Sequence, residues 1–494
     1  MNDIAAIRIH PSIGIARVGN SPTEFFIGPE LPGDRTPPEG GYKDAALRVK
    51  RQAARFRVFA YDADGKLVKE LLASDASITW TVHLANKKGE WRRFEGLKQD
   101  TAFRNAGVHD RQTLIIDPGA RSLSAPNESA LFDSGTFLGT PVPLGEVRTD
   151  EQGRLLVLGG SGQSGSPANT PIEEFANNDG WFDDVSDGPV TATVKLHGSD
   201  ATIEAAKAWV IVGPPNFAPA IDSAITLYDV LFQVAVDKLG LAPPEKPTFT
   251  HDIFPILARA TKFKWVSALA ATGHDTLAAV TPPPGPDALR NAIFQRLRNP
   301  NDGSGGDMPM IWSDNYRMLP TDGHKAESQP LTKVQYQMMK QWRDGQFIDD
   351  WTGALAPDAE ITPSGLDRAA LEPCVGGPFY PGIEAGWLLR DVYQFSEPFR
   401  LSHEGLGAGD ITKQMSVPWQ SDFNDCQQEG PLAWWPAQRP DDVVVARDGA
   451  QVQWTREIVN SSLDMIGNWH RLGFVVQSDD QYLETGRAAD PGIA

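Results

Sequence analysis

The sequence predicts an α+β protein with a β-rich N-terminal half over 1–215, a helical middle over 216–355 and a loop-rich C-terminal region over 356–494. Three observations predict it. Apolar and polar residues alternate through much of the first stretch, and apolar residues recur at helical spacing through the second. Both periods fade in the third, where Pro, Gly and Trp crowd together. At 494 residues the chain is too long for one simple core, while 40% hydrophobic and 22% charged content is ordinary for a globular protein.

In the first stretch, Arg55–Tyr61 and Lys66–Leu72 flank the turn Asp62-Ala63-Asp64-Gly65 and read as a hairpin. Ile78–Leu84 and Trp91–Phe94 repeat that signal around Lys87-Lys88-Gly89. Thr113–Ile116, Leu155–Leu158, Val190–Leu196 and Ala208–Val212 are further strands, together predicting antiparallel sheet joined by long loops. The character changes after Gly213-Pro214-Pro215. Ala224–Leu239, Asp252–Ala268, Pro286–Leu297 and Leu331–Trp342 then carry amphipathic helical spacing. Beyond Ala356 the periodicity is weak until Val443–Ala446 and Val452–Trp454, which suit a hairpin, and Ser461–Leu472, which suits a short helix. Ordered irregular backbone is costly to fix and tends to carry function.

Charge and composition exclude several classes. A net charge of -19, from 45 Lys plus Arg against 64 Asp plus Glu, would repel phosphate backbones and anionic lipid, so neither nucleic acid nor a membrane surface is an expected partner. No apolar run reaches the length of a membrane span. Met1–Pro11 has no basic stretch followed by an apolar one, so the sequence reads as cytoplasmic, with export by a non-classical route leaving no such mark. Two cysteines, Cys374 and Cys426, rule out a disulfide scaffold and a Cys-rich metal centre. They leave one disulfide, two buried thiols, or a cysteine with a special task.

Four segments could carry chemistry. Gly159-Gly160-Ser161-Gly162-Gln163-Ser164-Gly165 follows a strand like a phosphate cradle, but no Lys-Ser/Thr pair follows and Pro167 breaks the run, so it reads as a flexible connection. Asp179, Asp183, Asp184 and Asp187 form an acidic loop of the kind that holds calcium, yet without EF-hand spacing; solvated turns are the simpler reading. The nine histidines show no paired ligand spacing, so no metal site is expected. The fourth segment is Pro418–Cys426 followed by Trp434-Trp435-Pro436-Ala437-Gln438-Arg439-Pro440. It sets Asp422 four residues before Cys426 and Trp435 nine residues after it. If Asp422–Cys426 is one helical turn, the carboxylate and the thiol share a face. On spacing alone the pair reads as a core cysteine beside stacked aromatics.

A resemblance changes that reading. Ile9–Ser21, Phe25–Glu30, Asp179–Gly188, Gly376–Glu384, Asp422–Cys426 and Trp434–Pro440 resemble segments of the quinoprotein amino-acid oxidases, the family of L-lysine ε-oxidase and glycine oxidase, from one end of the chain to the other. The resemblance implies cysteine tryptophylquinone, built from Cys426 and Trp435, with Trp434 the other member of the doublet. It implies oxidative deamination of a primary amine of an amino acid, with O2 as oxidant and with release of ammonia and hydrogen peroxide. Asp422 is then the active-site carboxylate that removes the substrate proton, and a separate flavoprotein completes the quinone. Cys374, just before Gly376–Glu384, and His470, in Asn468-Trp469-His470, are read as substrate-pocket residues, and His10 is a further candidate. A homo-oligomer is expected by analogy. The same cofactor would serve an amine dehydrogenase passing electrons to a carrier protein. A non-catalytic protein with a Cys374–Cys426 disulfide, or a calcium-binding β protein, would share the fold without the chemistry.

Overall fold

The structure is a computed structural model that describes residues 4–95, 101–274, 285–312, 328–353, 357–377, 382–383, 385–386, 388–426 and 438–488. It has the mixed α+β character that the periodicities predict. The chain forms two compact units. The first comprises Met1–Pro215, Asp358–Leu371 and Tyr393–Asp422; the second comprises Asn216–Pro357, Glu372–Val392 and Phe423–Ala494.

The first unit is built on a 13-stranded sheet. Its main path runs Arg121–Leu123, Ala76–Val82, Ser186–Leu196, Ala208–Gly213, Ile13–Arg17, Arg51–Tyr61, Leu155–Leu158, Glu146–Thr149 and Ser129–Leu131. Ala76–Val82 alternates buried and more open positions, as a half-covered strand should. Ala208–Gly213 and Ile13–Arg17 are buried at every position, which marks them as central strands covered on both faces. These two pair in parallel, as do Phe25–Ile27 and the start of Arg51–Tyr61; the other described pairings in this sheet are antiparallel.

The first hairpin forms, with Leu67–Leu71 returning against Arg51–Tyr61. The second does not. Ala76–Val82 pairs with Ser186–Leu196 and with Arg121–Leu123, while Arg92 makes an isolated bridge to Phe103. Ser186–Leu196 offers a continuous register from Val190↔Val82 to Leu196↔Ala76, and that long ladder outcompetes a short local one. The strand expected at Thr113–Ile116 is replaced by a 3₁₀ turn, Arg111–Leu114, because the Asp110 side chain accepts from Gln112 N and caps it.

Helices α1 (Leu227–Lys238), α2 (Phe254–Lys262), α3 (Ala268–His274), α4 (Asp287–Gln295) and α5 (Lys333–Arg343) lie in the second unit. Capping boxes start α1, from Thr226 and Asp229, and α5, from Thr332 and Gln335. The single helix expected over 252–268 is broken. Pro255 fixes the first turn of α2, a π turn over Phe249–Ile253 precedes it, and a 3₁₀ turn over Phe263–Trp265 follows it. The C-terminal stretch holds more regular structure than its periodicity predicts: α6 (Pro363–Leu371), α7 (Trp419–Asp425), and a closing hairpin of Phe474–Ser478 with Gln481–Thr485. These elements are short, so one or two turns leave little periodic signal. The hairpin of Asp442–Val444 with Gln451–Gln453 and helix α8 (Ser462–Asn468) fall where the pattern puts them. Among the described residues no helix is long and apolar enough to cross a membrane.

Gly188 shows how tightly the sheet is set around the acidic loop. A Cβ there would come 1.7 Å from the His83 carbonyl oxygen, a backbone atom that cannot swing away. Gly188→Ala is therefore expected to destabilise the protein by about 2–3 kcal/mol, measured as a lower urea midpoint. An unchanged midpoint would mean that this backbone approach is looser than described.

Candidate active site

Helix α7 begins in the first unit, where Trp419–Asp422 lie. Its residues Gln420, Ser421 and Asp422 are polar, yet none is exposed to solvent. Buried polar groups need partners, and the chain supplies them from the loop strands before Ser186. Asp183 Oδ2 accepts from the Trp419 amide at 3.0 Å and from Lys88 Nζ at 2.8 Å. Lys88 Nζ also donates to the Ser416 carbonyl at 2.8 Å, and Asn178 Nδ2 donates to the Val417 carbonyl at 3.0 Å. Gln420 Nε2 donates to the Gly162 carbonyl, and Ser164 Oγ donates to Gln420 Oε1 at 2.6 Å. Ser421 Oγ reaches the Phe175 carbonyl at 2.9 Å. The start of α7 is thus held at nearly every residue, and Asp422 follows directly.

The glycine-rich loop and the acidic loop explain one another. The Gly162 and Gln163 amides, which could have cradled a phosphate, both donate to Asp184 Oδ2, at 2.8 and 2.9 Å. Burial pushes the Asp184 carboxyl up to about 7, against those two amides and with the neighbouring Asp183 charge adding to the rise. Its other oxygen, Oδ1, is buried without a hydrogen-bond partner, as suits a carboxyl that keeps its proton. Asp187 is also held by protein donors: Thr412 N and Oγ1 on Oδ1, and Trp209 Nε1 and Ile411 N on Oδ2. Burial still pushes it up to about 6. Asp179 Oδ1 accepts from the Asn105 amide at 2.8 Å. The carboxylates of this loop tie backbone together, and among the described residues no three His, Cys, Asp or Glu side chains gather as a metal site. His10 is likewise engaged, its Nδ1 lying 3.1 Å from the buried Asp367 carboxylate; burial pushes that acid up, but the attraction and hydrogen bond from His10, with the Ser12 amide, hold it below the usual range.

In the second unit, Cys426 is buried and follows the last residue of α7. Neither Cys426 nor Cys374 is in a disulfide, which removes the rival reading built on one. Trp434 and Trp435 lie outside the described residues. The flanks of their segment are nonetheless tied together: the fully buried Arg439 donates from Nε to the Phe423 carbonyl at 2.7 Å, and Asp441 Oδ1 accepts from its Nη1 at 2.8 Å. A cation on a carbonyl of the last helical turn also suits the helix dipole. Phe423 joins an aromatic cluster, edge-on to Phe217, which packs on Trp454 and Phe474.

Cys374 is buried beside the same segment. Its carbonyl accepts from the Leu227 amide at the start of α1, and the Pro373 carbonyl before it accepts from Gln438 Nε2 at 2.7 Å. Gly382 packs so closely on Gln438 that a Cβ would sit 2.1 Å from Oε1. His470 is half-buried on the 3₁₀ turn after α8, its ring edge-on to Trp469. The other end of α8 meets the end of α7, where Asn424 Nδ2 donates to Ser462 Oγ at 3.2 Å.

Comparison with known proteins decides the family. Residues 10–212 match the family model described as L-lysine epsilon oxidase N-terminal, and residues 313–446 match the one described as L-lysine epsilon oxidase C-terminal domain. The sequence is 30% identical to L-lysine 6-oxidase of Marinomonas mediterranea, over 85% of this chain and 71% of that protein. This chain belongs to the L-lysine ε-oxidase family. The fold agrees. The crystal structure of the Marinomonas mediterranea L-Lys ε-oxidase Schiff base intermediate with L-Lys superimposes with a TM-score of 0.79 at 26% identity, covering 98% of this chain and 95% of that one. A second crystal structure of the same oxidase gives 0.78 at 25% identity, with the same coverage.

Lys88, Asn178 and Arg439 are site-supporting residues that no sequence pattern singles out as such. Lys88 sits in what reads as an exposed turn, and only the fold shows it buried. Two outcomes follow. Asp184 keeps its proton to about pH 7 in the folded chain, whereas the unfolded chain releases it near 3.8, so this group's contribution to stability falls as pH rises between those values. Asp184→Asn, which still accepts from both amides, should gain stability relative to the parent across that window in urea titrations; parallel pH curves would rule out the protonated carboxyl. Arg439→Met, which removes the ion pair to Asp441 and the bond to the Phe423 carbonyl, should cost about 3–5 kcal/mol. A melting temperature equal to the parent's would show that this tie carries nothing.

Proposed function

We propose that this protein is an amino-acid oxidase that deaminates a primary amine through cysteine tryptophylquinone formed from Cys426 and Trp435, with Trp434 as the other possible indole. Family membership across both ends of the chain supports the oxidase reading. The observation that carries the site assignment is the fully buried carboxylate of Asp422 on α7, four residues before a buried cysteine held in no disulfide. The Arg439 tie supports it as well, since it draws together the flanks of the segment that bears the tryptophans.

When formed, the quinone supplies an electrophilic carbonyl and a store for two electrons. Cys426 holds the indole through a thioether and fixes its orientation. Asp422 takes the proton from the carbon bearing the substrate amine, and its exclusion from water suits a carboxylate to that work as a general base. Cys374 and His470 line the substrate pocket. In the whole reaction the substrate carbon loses two electrons, and water supplies the oxygen of the aldehyde or oxo acid as ammonia leaves. O2 takes the two electrons with two protons and becomes hydrogen peroxide. A separate flavoprotein completes the quinone, and the protein works as a homo-oligomer. L-Lysine, the substrate in the name of the Marinomonas relative, is the first amino acid to try.

The test is a panel of amino acids with the mature protein, reading peroxide and ammonia together under air and under argon. Equal, O2-dependent release of both is expected for at least one amino acid, with L-lysine labelled at either nitrogen showing which amine leaves. Asp422→Asn should lower kcat by about 10²–10⁴-fold, the range for a general base. Full activity in that variant, or electrons delivered to a carrier protein but not to O2, would overturn the reading.

A further inference from the structure

We propose that the buried Lys88–Asp183 ion pair is the positioning device of the site, setting the register of α7 and so the place of Asp422. This deepens the oxidase reading and rests on it for the consequence in catalysis.

The pair is fully buried on both sides, Nζ to Oδ2 at 2.8 Å. Taking two charges out of water costs about as much as their attraction returns, so an apolar pair of similar volume would be at least as stable. What an apolar pair lacks is the power to hold backbone. Lys88 Nζ donates to the Ser416 carbonyl, and Asp183 Oδ2 accepts from the Trp419 amide. The pair thus grips the chain at two points three residues apart, just as it turns into the helix. The second Asp183 oxygen is fixed in turn, accepting from Asn86 Nδ2 at 3.0 Å and from the Val185 amide at 3.2 Å. Asn86 Nδ2 also donates to the Asp183 and Val185 carbonyls, so the carboxylate cannot rotate without breaking its own strand.

One turn on, the glycine-rich loop repeats the grip on a side chain. Ser164 Oγ and the Gly162 carbonyl hold both ends of the Gln420 amide, and Asp184 holds that loop through its amides. The consecutive carboxyls Asp183 and Asp184 therefore serve the same helix, one through its backbone and one through the loop that clamps Gln420. A one-residue slip of α7 would break the bonds to the Ser416 carbonyl, the Trp419 amide and the Gln420 side chain together. Such a penalty fixes a register more sharply than apolar packing does.

The experiment compares Asp183→Asn with the parent in the full-length mature protein. Two quantities are read: hydrogen exchange of the Trp419–Phe423 amides, and kcat and KM per mole of quinone. The account expects exchange in α7 to rise about tenfold or more, with kcat falling about tenfold to a hundredfold and KM within about twofold, as for a misplaced reacting group. Parental exchange in α7, or a lower melting temperature with parental kcat, would overturn it. Should Asp183→Asn fail to fold, Lys88→Gln, which removes the charge from the pair but keeps a donor, carries the same test with a smaller shift in the same direction. Absence of quinone from the parent would sink the oxidase reading alone, because exchange in α7 still decides whether the pair sets the helix.

Discussion

Burying Gln420, Ser421 and Asp422 on one short helix is the constraint around which the first unit is arranged. Each of those side chains loses its hydration, and a buried polar group without a partner costs about 1–3 kcal/mol. Seven residues of helix cannot meet that demand alone. Partners come from far along the chain: Gly162 and Ser164, after Leu155–Leu158, for Gln420, Phe175 for Ser421, and Lys88, Asn178 and Asp183 for the backbone of Ser416, Val417 and Trp419 that leads into the helix. The sheet matters to the site because it fixes the ends of those strands, from which the loops reach α7.

In the second unit the same economy of irregular backbone recurs. Arg439 ties the two flanks of residues 427–437, from full burial with Asp441 and two carbonyls as partners. The Pro373 carbonyl, Gln438 and the Phe217 amide form a second tie across that region. Fixing loop ends in advance lowers the entropy that a cross-link between Cys426 and an indole a few residues on would have to overcome.

Much of this was legible in the sequence, and the failures have physical causes. The α+β class followed from two clean periodicities, and Arg51–Tyr61, Leu155–Leu158, α1, α4 and α5 lie close to where those periods put them. Trp91–Phe94 and Thr113–Ile116 were misread because local β-propensity lost to a longer ladder in one case and to an Asp cap in the other. The acidic loop looked solvated, since spacing cannot say that three of its carboxyls are buried against backbone amides, an indole and a lysine. Asp422 and Cys426 were found through resemblance. Their burial, and the dependence of α7 on Lys88, needed the fold. Trp434 and Trp435 lie outside the described residues, so the choice between them rests on resemblance.

Tandem mass spectrometry of the tryptic peptide Gln414–Arg447, after reduction and alkylation, tests the central claim most directly. Arg439 precedes Pro440 and resists cleavage, so Cys426, Trp434 and Trp435 stay in one peptide. The account predicts the added quinone oxygens on one indole, no alkylation at Cys426, and no backbone fragments released between the linked residues. An alkylated Cys426 with both indoles unoxidised, persisting after co-expression with the maturing flavoprotein, would contradict it.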